Sequence, residues 1–430
     1  MDFTVETLSW HHRRHHRAGG FQNLEKEHHQ RGASIWNGLT WAARRLIGGK
    51  THDPPPVRTP DVQALRRRPE AGTTRVIWIG HSTALIQTPD VTVLTDPIFS
   101  DRASPFSFAG PSRLIPPALQ VDELPPVDVV LLSHDHYDHC DQPSIEALFR
   151  RHEPVFCVPL DVAARLRRWG VGPVVEMDWW QRATIRLSET RPPLHVTCTP
   201  ARHFSGRSLF DSNSTLWASW MIDAPVAATE KGLTENGSSS EKGSPENGSS
   251  PNGSPNNGSP NNGASQKGAS TNEGAKTNGG ASVPGGAGSE SVRIYFGGDS
   301  GSGDHFTDIR ERLGAPDVAI LPIGAFQPRA LMEPVHIGPE EAVRVFEVLE
   351  ADHFVPIHWG TFDLAEESVQ APADVLNEAL ARTERLSPER IHVLDPGEVL
   401  SLERTAPRSM SSGTDAPAEE AVPEGVASAP

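Results

Sequence analysis

The sequence predicts a layered α/β body, on three observations. Apolar runs of roughly four to eight residues, rich in β-branched and aromatic side chains, recur from Arg75 onward, as buried strands require. Segments of helical periodicity alternate with the later runs, and several open on Pro or Asp, which a first turn prefers. Short strands followed by strand–helix alternation put helices on the faces of sheets rather than in a bundle.

In chain order, strands are expected at 75–79, 84–87, 91–95, 128–132, 154–158, 194–199, 215–222, 292–296, 318–323, 353–357 and 391–394. Helices are expected at 143–151, 161–169, 304–313, 339–350 and around 371–383. Before them, residues 1–69 form a basic arm, with twelve Lys and Arg against six Asp and Glu. Within the arm Ile35, Trp36, Leu39, Ala42, Ala43, Leu46 and Ile47 fall at helical spacing with Arg44 and Arg45 opposite, an amphipathic helix that could dock on the body or lie on a membrane surface. The body is 70–404.

Two stretches cannot build a core. Residues 224–290 collapse into repeats such as "ENGSSPNGSPNNGSPNNGAS", with almost no apolar side chains to offset ordering entropy, so a disordered insert is expected. The strand-like "STLWASWMID" before it and "SVRIYFGGDS" after it suggest a hairpin whose turn has been lengthened, tolerable because loop closure costs grow only logarithmically. Residues 405–430 are a Pro/Ala/Glu tail, also expected to be disordered.

Composition narrows the chemistry. The net charge is −16 while the arm is basic, so the acidic excess lies in the body, where it would repel nucleic acid; no nucleic-acid partner is expected. The arm alone could meet an anionic membrane surface. Only six lysines occur, all in the arm or the insert, which sets aside lysine-nucleophile chemistry. Cys140, Cys157 and Cys198 are odd in number and lack C-x-x-C pairing, and read as reduced, packed thiols. With no apolar segment near the start and no run of 18 apolar residues, a cytoplasmic protein, peripheral on an intracellular membrane at most, is expected.

The chemistry concentrates in "LLSHDHYDHCD", residues 131–141. His134, His136, Asp138 and His139 leave the carboxyl end of an apolar strand, where open α/β sheets place ligands, and imidazole with carboxylate suits a metal such as zinc. A His cluster alone is weak, and the "HHRRHH" of the arm is expected to be solvated. Three further strand ends distinguish the loop cluster: His203 after "LHVTCTPAR", Asp299 after "VRIYFGG" and His358 after "HFVPI". Five histidines and two aspartates suffice for two metals if one carboxylate bridges.

These residues resemble the metallo-β-lactamase fold, through H-x-H-x-D-H followed in order by His, Asp and His. The strings "GHSTALIQ", "TDPIF", "RASPFSFAGPSRLIPPAL", "TPARHFSGR", "LWASW", "YFGGDSG", "HIGPEEAV" and "IHWGTF" are similar, in the same order, to the branch of N-acylphosphatidylethanolamine-hydrolysing phospholipases D. The resemblance spans about 75–400 apart from the insert, and matches the arm only loosely. It implies a four-layer αββα sandwich. It also implies two Zn2+, one on His134, His136 and His203 and one on Asp138, His139 and His358, with Asp299 between them. Asp138 and Asp299 then serve catalysis. A metal-bound hydroxide would attack the phosphodiester of a phospholipid substrate, releasing N-acylethanolamine and phosphatidic acid. Tyr137 and His336 match positions that contact lipid in that family. His81 is expected to play a structural, hydrogen-bonding part. The same metal frame would equally serve a lactonase or a phosphodiesterase of soluble substrates.

Other motifs fail on spacing or partners. "GDSGSG" at 298–303 lacks a His–Asp pair free of the metal set. "GGKT" at 48–51 has Arg44 where a phosphate-cradling loop needs glycine.

Overall fold

The computed structural model describes residues 1–10, 12–24, 54–208, 210–226, 291–383 and 385–403. The expected amphipathic helix at 35–47, the insert beyond Val226 and the tail lie outside the described residues. Residues 1–228 and 289–430 group as one compact unit; the other, 229–288, falls wholly outside the described residues.

Two seven-stranded sheets organise the first unit. One runs in the spatial order β1 (Asp2–Thr7), β10 (Gln181–Arg186), β11 (Leu194–Thr199), β12 (Ser219–Pro225), β13 (Ser291–Phe296), β14 (Val318–Pro322), β15 (His353–Ile357). The other runs β16 (Val399–Glu403), β4 (Thr73–Gly80), β5 (Thr83–Gln87), β6 (Thr92–Thr95), β7 (Val129–Leu131), β8 (Val155–Pro159), β9 (Val174–Met177). Antiparallel pairing gives way to parallel pairing from β6 to β9 and from β13 to β15. These parallel segments read as continuous apolar runs, because both faces are covered.

Alternation within strands separates the layers. Val76 and Trp78 of β4 join Val196, Trp220 and Phe296 of the other sheet in the central core, whereas Ile77 and Ile79 turn outward to join Ile145 and Leu148 of α2 (Gln142–His152) and Leu166 of α3 (Ala163–Arg168). On the opposite outer face, α4 (His305–Leu313), α6 (Pro339–Leu349) and α7 (Ala371–Ala381) bury Ile309, Phe346 and Leu376. Two short helices, α1 (Val62–Leu65) and α5 (Arg329–Met332), complete the set among the described residues. The order helix, sheet, sheet, helix is the four-layer sandwich expected from the resemblance. Each fully buried Leu, Val or Ile in these layers contributes about 1.5–3 kcal/mol.

Several expectations need correction. The arm is not wholly separate: β1 adds an edge strand to the first sheet, pairing with β10. Residues 16–17 and 20–21 form a small ribbon, β2 (His16–Arg17) with β3 (Gly20–Phe21). "HHRRHH" is not solvated throughout: Arg13 and Arg14 are exposed, but His15 is fully buried, its Nε2 2.6 Å from Asp178 Oδ1, and its ring stacks on Trp179. Ala224 and Pro225, placed in the insert from composition, are the last residues of β12 and pair with Val292 and Ser291. That pairing is the lengthened hairpin, though β12 begins at Ser219 rather than at 215. Residues 391–394 make an isolated bridge at Ile391 instead of a strand, and β9, β10 and β16 were not expected.

Candidate metal centre

The described donor residues sit at loops that follow parallel or central strands. β7 delivers Ser133 and His134, and two bonds from the opposite sheet hold that exit: Ala218 N–H donates to Ser133 O (2.8 Å), and Trp220 Nε1 donates to Leu132 O (3.0 Å). Asp299 follows β13 through Gly298, whose φ is +56° and where an added Cβ would stand 2.6 Å from Ser133 Cβ, so there is no room for a side chain. His358 follows β15 with φ +65°, its N–H donating to His81 O (2.9 Å). Such backbone strain at a cluster of titratable groups marks functional sites.

All seven sequence-derived ligands converge. His134 Nε2 lies 2.8 Å from His136 Nδ1, and His203 Nε2 lies 3.3 Å from the same atom. Asp299 Oδ2 lies 3.1 Å from His139 Nε2, 3.2 Å from His358 Nε2 and 3.9 Å from His203 Nε2. Asp138 Oδ2 is 3.3 Å from His139 Nε2 and 3.8 Å from His358 Nε2. Two atoms bound tetrahedrally at ~2.0–2.2 Å stand roughly 3.3–3.6 Å apart, and these gaps, from 2.8 to 3.9 Å, straddle that spacing. Asp299 Oδ2 thus lies within 4 Å of donors from both clusters, His139 and His358 on one side and His203 on the other.

The donors fit cations by their hydrogen bonding too. His203 Nδ1 faces Val335 O at 2.9 Å, His134 Nδ1 faces Ser133 Oγ at 2.9 Å, and His139 Nδ1 faces Asp96 Oδ2 at 2.7 Å. Each such partner orients the ring and leaves the other nitrogen pointing into the centre. Within it, Asp299 Oδ1 is buried with no hydrogen-bond partner. A buried polar atom of this kind normally requires one, and a cation or a water held there would satisfy it.

Electrostatics point the same way. Burial lowers the His134 pKa well below its ordinary value and brings His136 to about 4 and His203 to about 3, so these rings are neutral with lone pairs to offer. Burial opposes charge on His139 and His358 as well, but the Asp299 carboxylate beside both outweighs it. His139 is raised well above the ordinary value, and His358 to about 9. Conversely, burial would raise Asp138 and Asp299, yet the charge of His139 holds both well below the carboxylate range. Without cations, protonated histidines neutralise the buried carboxylates. Metal loading at pH 7 should therefore expel about two protons, from His139 and His358, with affinity rising as pH climbs towards 9. Calorimetric titration in buffers of different ionisation enthalpy measures the release, and a value near zero would contradict this charge balance.

Beside the candidate ligands lies one residue that sequence reasoning missed. Asp96, at the end of β6, accepts from Ser133 N–H (2.6 Å) and Ser133 Oγ (2.5 Å) while facing His139. The strand-end logic applied to His134 would have found it. His81 Nε2 lies 2.9 Å from Asp138 Oδ2, its ring lies 4.2 Å from that of His358, and with Asp138, His139 and His358 it forms one group close enough to hold an ion. His336 Nδ1 is 3.9 Å from Asp299 Oδ2, beside the His203 ring. Tyr137 stands apart from the donors, its hydroxyl donating to Arg207 O at 3.2 Å beneath the Arg207 guanidinium, 3.7 Å from the ring centre.

Two facing sheets with helices outside, and a His/Asp centre at their strand ends, define a metallo-hydrolase of the metallo-β-lactamase fold. Residues 91–229 and 263–359 match the Beta-lactamase superfamily domain, and the chain belongs to that family. An uncharacterized protein of Mycobacterium tuberculosis strain H37Rv is 36% identical over 348 residues, covering 80% of this chain and 71% of that one. The N-acyl-phosphatidylethanolamine-hydrolyzing phospholipase D 1 of Caenorhabditis elegans is 29% identical over 330 residues, 75% of this chain and 74% of that one. The mitochondrial N-acyl-phosphatidylethanolamine-hydrolyzing phospholipase D of Saccharomyces cerevisiae is 28% identical over 301 residues, 70% of this chain and 50% of that one. Among the described residues no helix is long and apolar enough to cross a membrane.

Proposed function

We propose that this hydrolase is a two-zinc phosphodiesterase that cleaves N-acylphosphatidylethanolamine to N-acylethanolamine and phosphatidic acid. The observation that carries the reading is Asp299 Oδ2, within 4 Å of His139, His203, His336 and His358, which joins two donor sets into one centre. His134, His136 and His203 would hold one ion and Asp138, His139 and His358 the other, with Asp299 shared. Bound as a pair, zinc ions lower the pKa of water and neutralise charge on phosphoryl oxygens.

The chain's own residues supply the rest. Asp138 and Asp299 stay ionised and hold the histidines in their ligating orientation, Asp138 with help from His81. Asp299 Oδ1, buried and unpartnered, can hold a water proton while the oxygen is directed at phosphorus. Burial lowers His336 to about 3, so its neutral ring can donate one N–H to a phosphoryl oxygen without adding charge. Tyr137, braced by Arg207, would pack against the lipid on the other side of His136. The exposed Phe204, whose ring lies 4.6 Å from that of His136, and the fully solvated Phe210 on the same loop offer apolar contact for acyl chains. The arm would supply peripheral contact with the membrane that carries the substrate.

A second reading is hydrolysis of a small soluble ester, lactone or diester, which the same metal frame would serve. Mass spectrometry of N-acylphosphatidylethanolamine incubated in 18O-water separates the two. The expected result is N-acylethanolamine with 18O in phosphatidic acid, lost with chelator and restored by zinc. Zinc-loaded protein that leaves this lipid intact while hydrolysing a soluble ester would sink the lipid reading.

A further inference from the structure

His203 lies on an irregular loop four residues beyond β11, where no neighbouring strand pairs its backbone. Both backbone groups are nevertheless satisfied by one side chain from the far end of the sequence. Asn23 Nδ2 donates to His203 O at 3.0 Å, and His203 N–H donates to Asn23 Oδ1 at 3.2 Å. A side-chain amide presents a donor and an acceptor in one plane, so it substitutes for the missing strand. Trp217 Nε1 also donates to Oδ1, at 3.2 Å, which fixes the orientation of the amide.

The arm is built to deliver that amide. Asn23 follows the β2–β3 ribbon, whose Phe21 is buried and donates its N–H to Asn213 O at 2.9 Å. Asn213 in turn pairs with Ser205, its N–H donating to Ser205 O at 2.8 Å and its Oδ1 accepting from Ser205 N–H at 3.1 Å. Residues 203–205 are thus gripped from two sides. Behind the ribbon, both oxygens of Asp178 face a histidine, His15 Nε2 at 2.6 Å and His16 Nε2 at 2.8 Å, and Gln22 N–H donates to His15 O at 2.8 Å. The first residues of the basic arm are thus pinned against the loop that carries His203.

We propose that Asn23 is a positioning residue of the metal centre: the N-terminal hairpin clamps the peptide of His203 and so sets the reach of its imidazole towards the ion shared with His134 and His136. The inference rests on His203 being a ligand, as in the proposed function. Outer partners of metal ligands typically change affinity 10- to 100-fold, which sets the expected size.

The test is a titration of the full-length, metal-stripped protein with cobalt(II), followed by visible absorption, beside turnover kinetics. Asn23→Ala should bind the first cobalt normally and the second at least about tenfold more weakly, with a shifted absorption band and lowered kcat at unchanged KM. Gln22→Ala, on the same hairpin but bonded only to Arg14 O through its side chain, should titrate as the unaltered protein. A folded Asn23→Ala protein with the unaltered titration and spectrum overturns the proposal. Should that variant not fold, Asn23→Asp keeps the oxygen facing His203 and Trp217 but loses the donor, and should show an intermediate loss; its absence overturns the proposal equally. His203→Ala separates the underlying reading: two full-affinity cobalt sites in that variant refute the ligand role itself, whereas loss of one site there with none in Asn23→Ala refutes only the clamp.

Discussion

Asp299→Asn should lose at least about a thousandfold in kcat, together with bound metal, while the sandwich stays folded. The amide keeps the shape of the side chain but removes the negative charge that His139 and His358 both face at 3.1–3.2 Å. A factor of a thousand corresponds to about 4 kcal/mol of barrier, the scale of electrostatic stabilisation lost when one shared ligand charge disappears. The same substitution should lower the pKa values of His139 and His358, since Asp299 is the largest influence raising each against burial. The protons expelled on metal loading should then fall below two. Metal analysis, turnover and calorimetry on one preparation check all three. Near-normal turnover with two bound ions would remove Asp299 from the centre.

Gly298→Ala should cost about 2–5 kcal/mol of stability and at least about tenfold in activity, though the new methyl group carries no chemistry. A Cβ there would meet Ser133 Cβ at 2.6 Å and Ala218 O at 3.2 Å. A residue with a side chain also loses about 1–2 kcal/mol in the left-handed region that Gly298 occupies. Overpacking adds a further 1–3 kcal/mol or so. Ser133 cannot yield freely, since its N–H and hydroxyl both bond Asp96, which orients His139. The displacement would thus reach both donor sets at once. Thermal melting and metal content measure the two effects, and an unaltered melting temperature would show that the loop adapts.

Some of this was legible without coordinates for identifiable reasons. β11 and β15 agree residue for residue with expectation, because LHVTCT alternates apolar with polar or β-branched side chains and HFVPI is apolar after its first residue. β1 was hidden: its six residues are all exposed, so burial leaves no signature, and the nearby cluster of Arg and His dominated the reading of the arm. β10, "QRATIR", alternates only weakly, and its identity as a strand comes from neighbours on both sides. His15 looked like one of four solvated histidines. Its burial depends on Asp178 and Trp179, which the sequence places far away.

The sequence by itself determined which side chains could bind metal and that they stand at strand ends. Local apolar patterning dictates where strands stop, and the residues just beyond are then free to serve a ligand. Only the tertiary structure decided how closely Asp299 approaches both groups of donors, that Asp96 faces His139, and that Asn23 reaches across to His203. Those facts concern distances between segments remote in the chain, set by the packing of two sheets face to face, and no local pattern of residues encodes them.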